Sequence, residues 1–391
     1  MNVKKNSLVC FTGIIDQESL YTFNNRLSLI MKYDLKDFSY EIVGELQNYM
    51  ISHDPVIRMI MFEENLYLVL FRRRGIVRFN ITKKNPTECF FSKKILAPNE
   101  LIWGAFMYKS HIWEFSVSAG CKIYSFNCVT GEHQEYCSVK ELFKKKNLLI
   151  EADDYFSNMF QIHNEVWSAV CGTPYVFCLN LDEMGLTVFH IGCEEINSFD
   201  YDGRDFWITV PGDSAIINWS PEDGILNCFN VSEINFRDYP SCYISGTDDR
   251  VFVIPNSDKD FCCINKKTRE YKFLSFVGSY QKLSPDKNVY PVVYPFGGYI
   301  RTSDILILLP RNIDKIIVID LQYETITYVD SALKKEDYER MYVKNKLYTG
   351  GLEETRDYKL TDYTEHLNKD IFNLDRKEKD KNIGRKIFTK M

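Results

Sequence analysis

No run of eighteen apolar residues occurs in the chain, so the sequence carries no membrane-spanning helix. It also lacks a Gly-x-x-x-x-Gly-Lys phosphate loop, a Gly-x-Gly-x-x-Gly turn and a Gly-x-Ser-x-Gly nucleophile elbow. The six histidines, His53, His111, His133, His163, His190 and His366, are dispersed, and none pairs with another at metal-ligand spacing. Cys171 and Cys178 flank a turn, but two thiols do not make a closed zinc set. The sequence therefore predicts no cofactor and no metal site. A basic excess is missing too. Lys and Arg number 48 against 54 Asp and Glu, a formal net charge of −6, which speaks against a nucleic-acid partner.

The twelve cysteines follow no regular spacing and read as reduced core residues rather than a disulfide framework. The apolar stretch after Lys4 and Lys5 is interrupted by Ser7 and Thr12 and meets no small-residue cleavage site. It reads as a first β-strand, not a signal peptide. The expected compartment is the cytoplasm, where the Asn-x-Ser/Thr triplets at Asn80, Asn218 and Asn230 carry no glycan.

What the sequence does contain is a globular balance of 45% hydrophobic and 26% charged residues, and an internal repeat. A large apolar residue is followed thirteen or fourteen positions later by Asn, Asp or Ser. The pairs are Tyr21 and Asp34, Tyr67 and Asn80, Trp113 and Asn127, Trp167 and Asn180, Trp207 and Ser220, Phe252 and Asn265, and Leu306 and Asp320. Their mean spacing is about 48 residues. The residue before each polar position is apolar (Tyr33, Phe79, Phe126, Leu179, Trp219, Ile264, Ile319), and so is the residue two further back. Apolar positions two apart mark one face of a strand. The Asn, Asp or Ser then opens a turn, because a short polar side chain can bond the backbone two residues on. Another strand follows each turn, and a strand with a tight polar turn precedes each apolar residue.

Four short antiparallel strands per copy at this period predict an all-β fold, a β-propeller of four-stranded blades over residues 7–328. Seven blades fit the repeat, with six or eight as alternatives. One blade cannot bury both its faces, so blades must stack around an axis. An aromatic content of 15% suits the wedges between them. Residues 329–391 form a charged C-terminal extension with short helices at Thr361 to Leu367 and Lys381 to Met391. A further helix is expected between blades three and four, where Ser138-Val139-Lys140-Glu141 is a capping box and Lys144-Lys145-Lys146 a C-terminal turn. For closure, Ser7 to Thr12 supplies the first inner strand, or Met341 to Tyr348 supplies an extra one.

The stretches Ile123-Tyr124-Ser125-Phe126-Asn127-Cys128-Val129-Thr130-Gly131 and Ile316-Ile317-Val318-Ile319-Asp320 resemble blades of Kelch and YVTN-type propellers. The Gly-Gly doublet of Kelch blades is absent from most copies, and Gly297-Gly298 precedes the second strand instead of following it. The resemblance implies that inner-strand starts, blade-to-blade loops and second-to-third-strand loops share one face. That geometry nominates Arg58, Trp103, Asn158 and Asn197, with the loops Arg72-Arg73-Arg74, Cys171 to Pro174, Pro211 to Ser214, Asn256 to Lys259 and Pro310 to Asp314. Arginine forks grip carboxylates and phosphates bidentately, which singles out Arg72, Arg73 and Arg74. Tyr290, Tyr294 and Phe296 offer aromatic platforms before the last blade. With no catalytic set in evidence, the expected function is a non-catalytic binding or scaffold propeller for a protein segment or glycan. The alternative is a glycan-active lyase or hydrolase at the channel mouth, with His53, Asp54 and Arg58 as its acid/base trio. The Asp200 to Asp205 stretch reads as a hairpin turn and not as a calcium loop.

Overall fold

The computed structural model describes residues 8–46, 55–71, 75–91, 101–116, 121–150, 156–210, 214–234, 242–255, 259–276, 295–311 and 313–341. Contiguous stretches of the chain build seven separate four-stranded sheets, each with its strands in sequence order and every neighbour antiparallel. These are seven blades of a propeller, spanning residues 13–45, 56–91, 102–138, 160–190, 198–230, 242–274 and 296–330. The first strands are Gly13–Asp16, Val56–Phe62, Ile102–Tyr108, Phe160–Ile162, Ser198–Tyr201, Cys242–Gly246 and Phe296–Arg301. The first strand of blade one lies between those of blades two and seven, so the ring closes and these strands face the axis.

Second and third strands are buried on both faces. In blade two Leu66, Tyr67, Leu68 and Val69 are all buried, as are Leu306 to Leu309 in blade seven. A blade sandwiched between two others has no solvent face there, so these strands read as apolar runs rather than alternations. The fourth strands at the rim revert to polar patterns, such as Gly185–His190. The core is therefore a set of wedges. One cluster joins Phe23 and Val43 of blade one to Leu68 and Phe79 of blade two. Another joins Trp167 and Cys178 of blade four to Phe199 and Trp219 of blade five.

The repeated polar residue ends the third strand of every blade, and its side chain does the same work each time. Asn127 Oδ1 accepts from the amides of Val129 and Thr130 at 2.8 and 3.0 Å. Asn180, Asn265 and Asp320 repeat the pattern with the amides two and three residues on. Asp34 takes one such bond, from Lys36, at 2.8 Å. Asn80 takes one from Lys83 and Ser220 Oγ one from Asp223. The apolar residue before each is buried, from Tyr33 to Ile319.

Helix α1 (Val139–Lys145) follows blade three with the expected capping box. Ser138 Oγ accepts from the Glu141 amide at 3.1 Å, and the Glu141 carboxylate accepts from the Ser138 amide at 3.3 Å. Lys144 and Lys145 fall in its last turn.

Closure differs from expectation. The inner strand of blade one is Gly13–Asp16, and residues 8–12 lie outside any ladder. Their backbone groups are spent elsewhere: Val9 O accepts from Asn25 N, while Cys10 N and Leu8 N donate to Pro310 O and Ser331 O of blade seven and its exit. The segment thus bonds the first blade to the last without joining either sheet. The Gly297-Gly298 doublet makes room for it, since a Cβ on either glycine would collide with the backbone of Cys10 or Phe11. The alternative closing strand, Met341 to Tyr348, begins on a residue that is helical, and 342–348 lie outside the described residues.

A second unit begins at Lys335. Within it, 335–341 are helical, with Lys335 paired to Glu339 and Arg340 to Asp337. The expected helices at 361–367 and 381–391 lie outside the described residues.

Candidate functional site in the central channel

The first strands of blades two, three and seven each carry a β-bulge near their start. Val56 pairs Leu70 and Arg58 pairs Val69, which leaves Ile57 as the extra residue. Trp103 and Gly297 are the extra residues in blades three and seven. A bulge re-aims the side chains beside it. Trp103 is 44% exposed, rare for a tryptophan in a blade, whereas Trp207 is fully buried.

Counted back from the closing pair of each first hairpin, Thr12, Arg58, Asn158, Ser198 and Tyr243 occupy the same level of the channel. Asn197 and Trp103 lie one level nearer the strand starts. Two nominated residues, Arg58 and Asn158, thus share a level, and two others sit immediately above. The Asn197 backbone amide donates to Thr209 O at 2.8 Å, and its side-chain Nδ2 donates to Thr209 Oγ1 at 3.4 Å. In the nominated loop from Cys171 to Pro174, Thr173 Oγ1 donates to Val170 O at 2.8 Å. Burial pushes the Cys171 thiol up to about 12, which removes it as a nucleophile. Arg72, Arg73, Arg74, His53, Asp54, Tyr290 and Tyr294 lie outside the described residues.

Around Arg58 the channel holds residues that sequence reasoning did not nominate. Arg58 belongs to blade two, yet the ionisable groups that face it are Tyr243 of blade six and Tyr299 of blade seven. Blade one separates blade two from blade seven, so this electrostatic coupling spans blades that are not neighbours. The two tyrosine rings lie 4.7 Å apart. The Tyr299 hydroxyl donates to Asp200 Oδ1 of blade five. Asp200 Oδ1 also accepts from the Tyr201 amide at 3.1 Å, and Oδ2 accepts from the Ile244 amide at 2.6 Å. Burial raises the Asp200 carboxyl to about 7 despite these bonds.

Below it, toward the hairpin turns, Asp202 closes the turn of blade five. Its Oδ1 accepts from the amides of Arg204 and Asp205, and its Oδ2 accepts from Trp207 Nε1 at 2.7 Å. Arg301 of blade seven donates to Gly246 O and stands 3.8 Å from Asp202. Gly246 cannot carry a side chain, because a Cβ would press into the Asp202 carboxylate. The Asp200 to Asp205 stretch is therefore a hairpin turn, as read from the sequence, but with both of its first two aspartates buried. The signal that could have found Asp200 and Tyr299 is strand position alone: both lie on first strands, which line the axis.

A groove of about 490 Å³ opens elsewhere, between α1 and blade four, lined by Leu142, Lys145, Lys146, Met184 and Leu186 among others. None of its lining residues belongs to a first strand. Among the described residues no cluster of His, Cys, Asp and Glu could hold a metal, and no helix is long and apolar enough to cross a membrane.

The class of fold is thus a seven-bladed β-propeller. No protein-family model matches the chain, and no curated protein matches it in sequence. Among solved structures it is similar to the WD40 repeats of RRP9, at 12% identity and a TM-score of 0.50, over 79% of this chain and 89% of that one. It also matches U3-55K at 11% identity and a TM-score of 0.49, over 79% and 90%. A third match is the computationally designed Ika8 protein, at 9% and 0.48, over 85% and 90%. At these identities the likeness is one of fold, and the resemblance to Kelch and YVTN-type blades likewise stays at the level of architecture.

Proposed function

We propose that the chain is a non-catalytic binding propeller that holds a protein segment at the channel mouth, with residues 7–328 as the binding unit, 329–391 as an extension, and the cytoplasm as its compartment. The observation that carries this reading is Trp103, an exposed indole on a bulge at the start of an inner strand, one level above Arg58 and Asn158. Trp and Arg are the side chains most enriched where binding energy concentrates. Asn197 stands beside them, and the proposed surface extends to Arg72, Arg73, Arg74 and Tyr294. The tie of Asp200 to Tyr299 and two backbone amides favours a structural carboxyl over a mobile acid/base.

The test is affinity capture of the tagged full chain beside Trp103→Ala and an Arg72/Arg73/Arg74→Ala triple variant. A partner protein held by the wild type and lost from Trp103→Ala is the expected result. Equal recovery from both variants, or no partner at all, counts against the reading. A glycan retained in place of a protein, or turned over, would move the assignment to carbohydrate binding or to the glycan-active alternative.

A further inference from the structure

The charges in the channel do not balance at Arg58. Its Nε is fully enclosed and has no hydrogen-bond acceptor among the described residues. The groups that face it, Tyr243 and Tyr299, are phenols, and burial holds the Tyr299 hydroxyl well above its ordinary pKa, in the neutral form. The nearby carboxylates are engaged elsewhere. Asp200 takes the Tyr299 hydroxyl and two amides, and Asp202 takes the Trp207 indole and two amides. Arg301, two residues along from Tyr299, is different: it donates to Gly246 O and has the Asp202 carboxylate 3.8 Å away as its counter-charge.

A guanidinium whose Nε is shut off from water, with no counter-charge among the described residues, is unfavourable, because a buried polar group left unpaired costs free energy. A guanidinium with a free edge is also the group best shaped to grip two oxygens of one anion. We propose that the channel at the level of Arg58 and Tyr243 is an oxyanion-binding site for the carboxylate or phosphoryl group of a small free ligand. The anion lies against the Arg58 fork, on the axis, and supplies the charge that the protein withholds there. The proposal stands apart from the partner reading, because it needs no protein segment.

The test is thermal unfolding and isothermal titration of the full chain with inorganic phosphate and with acetate, against sodium chloride at matched ionic strength. A saturable rise in the unfolding midpoint of about 2 °C or more with at least one oxyanion, absent with chloride, is expected. A rise with phosphate alone assigns a phosphoryl ligand, and a rise with acetate alone assigns a carboxylate. Arg58→Met should abolish the rise while unfolding no lower than the anion-free wild type, since an enclosed unpaired charge has been removed. Arg58→Lys keeps the charge without the fork and should weaken binding about tenfold. Equal midpoints in chloride and both oxyanions overturn the proposal, as does a rise that survives in Arg58→Met. If that variant does not fold, titration of the wild type decides: no saturable heat up to about 10 mM of either anion overturns it.

Discussion

A short polar side chain at the end of each third strand replaces a stretch of loop backbone as hydrogen-bond partner. Asn265 illustrates the effect: Oδ1 holds the amides of Lys267 and Thr268, both at 2.9 Å, while Arg269 takes a positive φ of 63°. Asn265→Ala removes both bonds in one exposed turn and should lower stability by about 1 kcal/mol in urea denaturation. Asn265→Asp should recover most of it, because the acceptor remains. Asp200 makes a different prediction. Its carboxyl is raised to about 7 by burial, so the folded chain holds a proton that the unfolded chain releases near pH 4. Stability from this group is therefore fully present below about pH 4 and is lost as pH rises through 7. The urea midpoint should fall between pH 5 and pH 8, and Asp200→Asn should flatten that fall while lying lower throughout, since its amide would oppose the Ile244 N–H. An unchanged slope in the variant would assign the pH dependence to other groups.

At the level of the element, the turn chemistry and the strand faces were open to reading because they are local. The seven Asn, Asp and Ser positions, the apolar residue before each, and the capping box at Ser138 all depend on neighbours within a few residues. Ser138→Ala should cost about 1 kcal/mol by losing the cap, measurable as increased amide exchange over residues 139–145. The channel was harder to read, because its contacts join residues far apart in sequence. Asp200 meets Tyr299 and Ile244 only after the blades close into a ring. Arg58 and Trp103 were found from strand position, whereas Tyr243 and Tyr299 look like ordinary strand aromatics in sequence. The mistake over Ser7 to Thr12 has the same root. Its apolar residues fit a strand, and only the distant carbonyl partners at Pro310 and Ser331, with the Asn25 amide, reveal a strap instead.

For the whole molecule, the ring is held at its seam by that strap and by the facing first strands of blades one and seven. Gly297→Val places a branched side chain where the Cys10 backbone passes. It should lower the unfolding midpoint by several degrees and expose residues 8–12 to protease, because overpacking a close backbone approach costs roughly 1–3 kcal/mol. The same change at Gly172, whose Cβ position is open but whose φ is +76°, should cost stability without opening the seam.

Because each blade is a continuous stretch of chain, all seven sheets can finish in the order in which they leave the ribosome. The strap alone has to wait. Leu8 and Cys10 emerge first, but Pro310 and Ser331 are among the last residues of the ring to be made. At about 5–20 residues per second, that leaves the Leu8 and Cys10 amides without their blade-seven acceptors for on the order of 15 to 60 seconds. Emergence of the seventh blade, and not the folding of any earlier one, is then the moment at which the propeller becomes a circle.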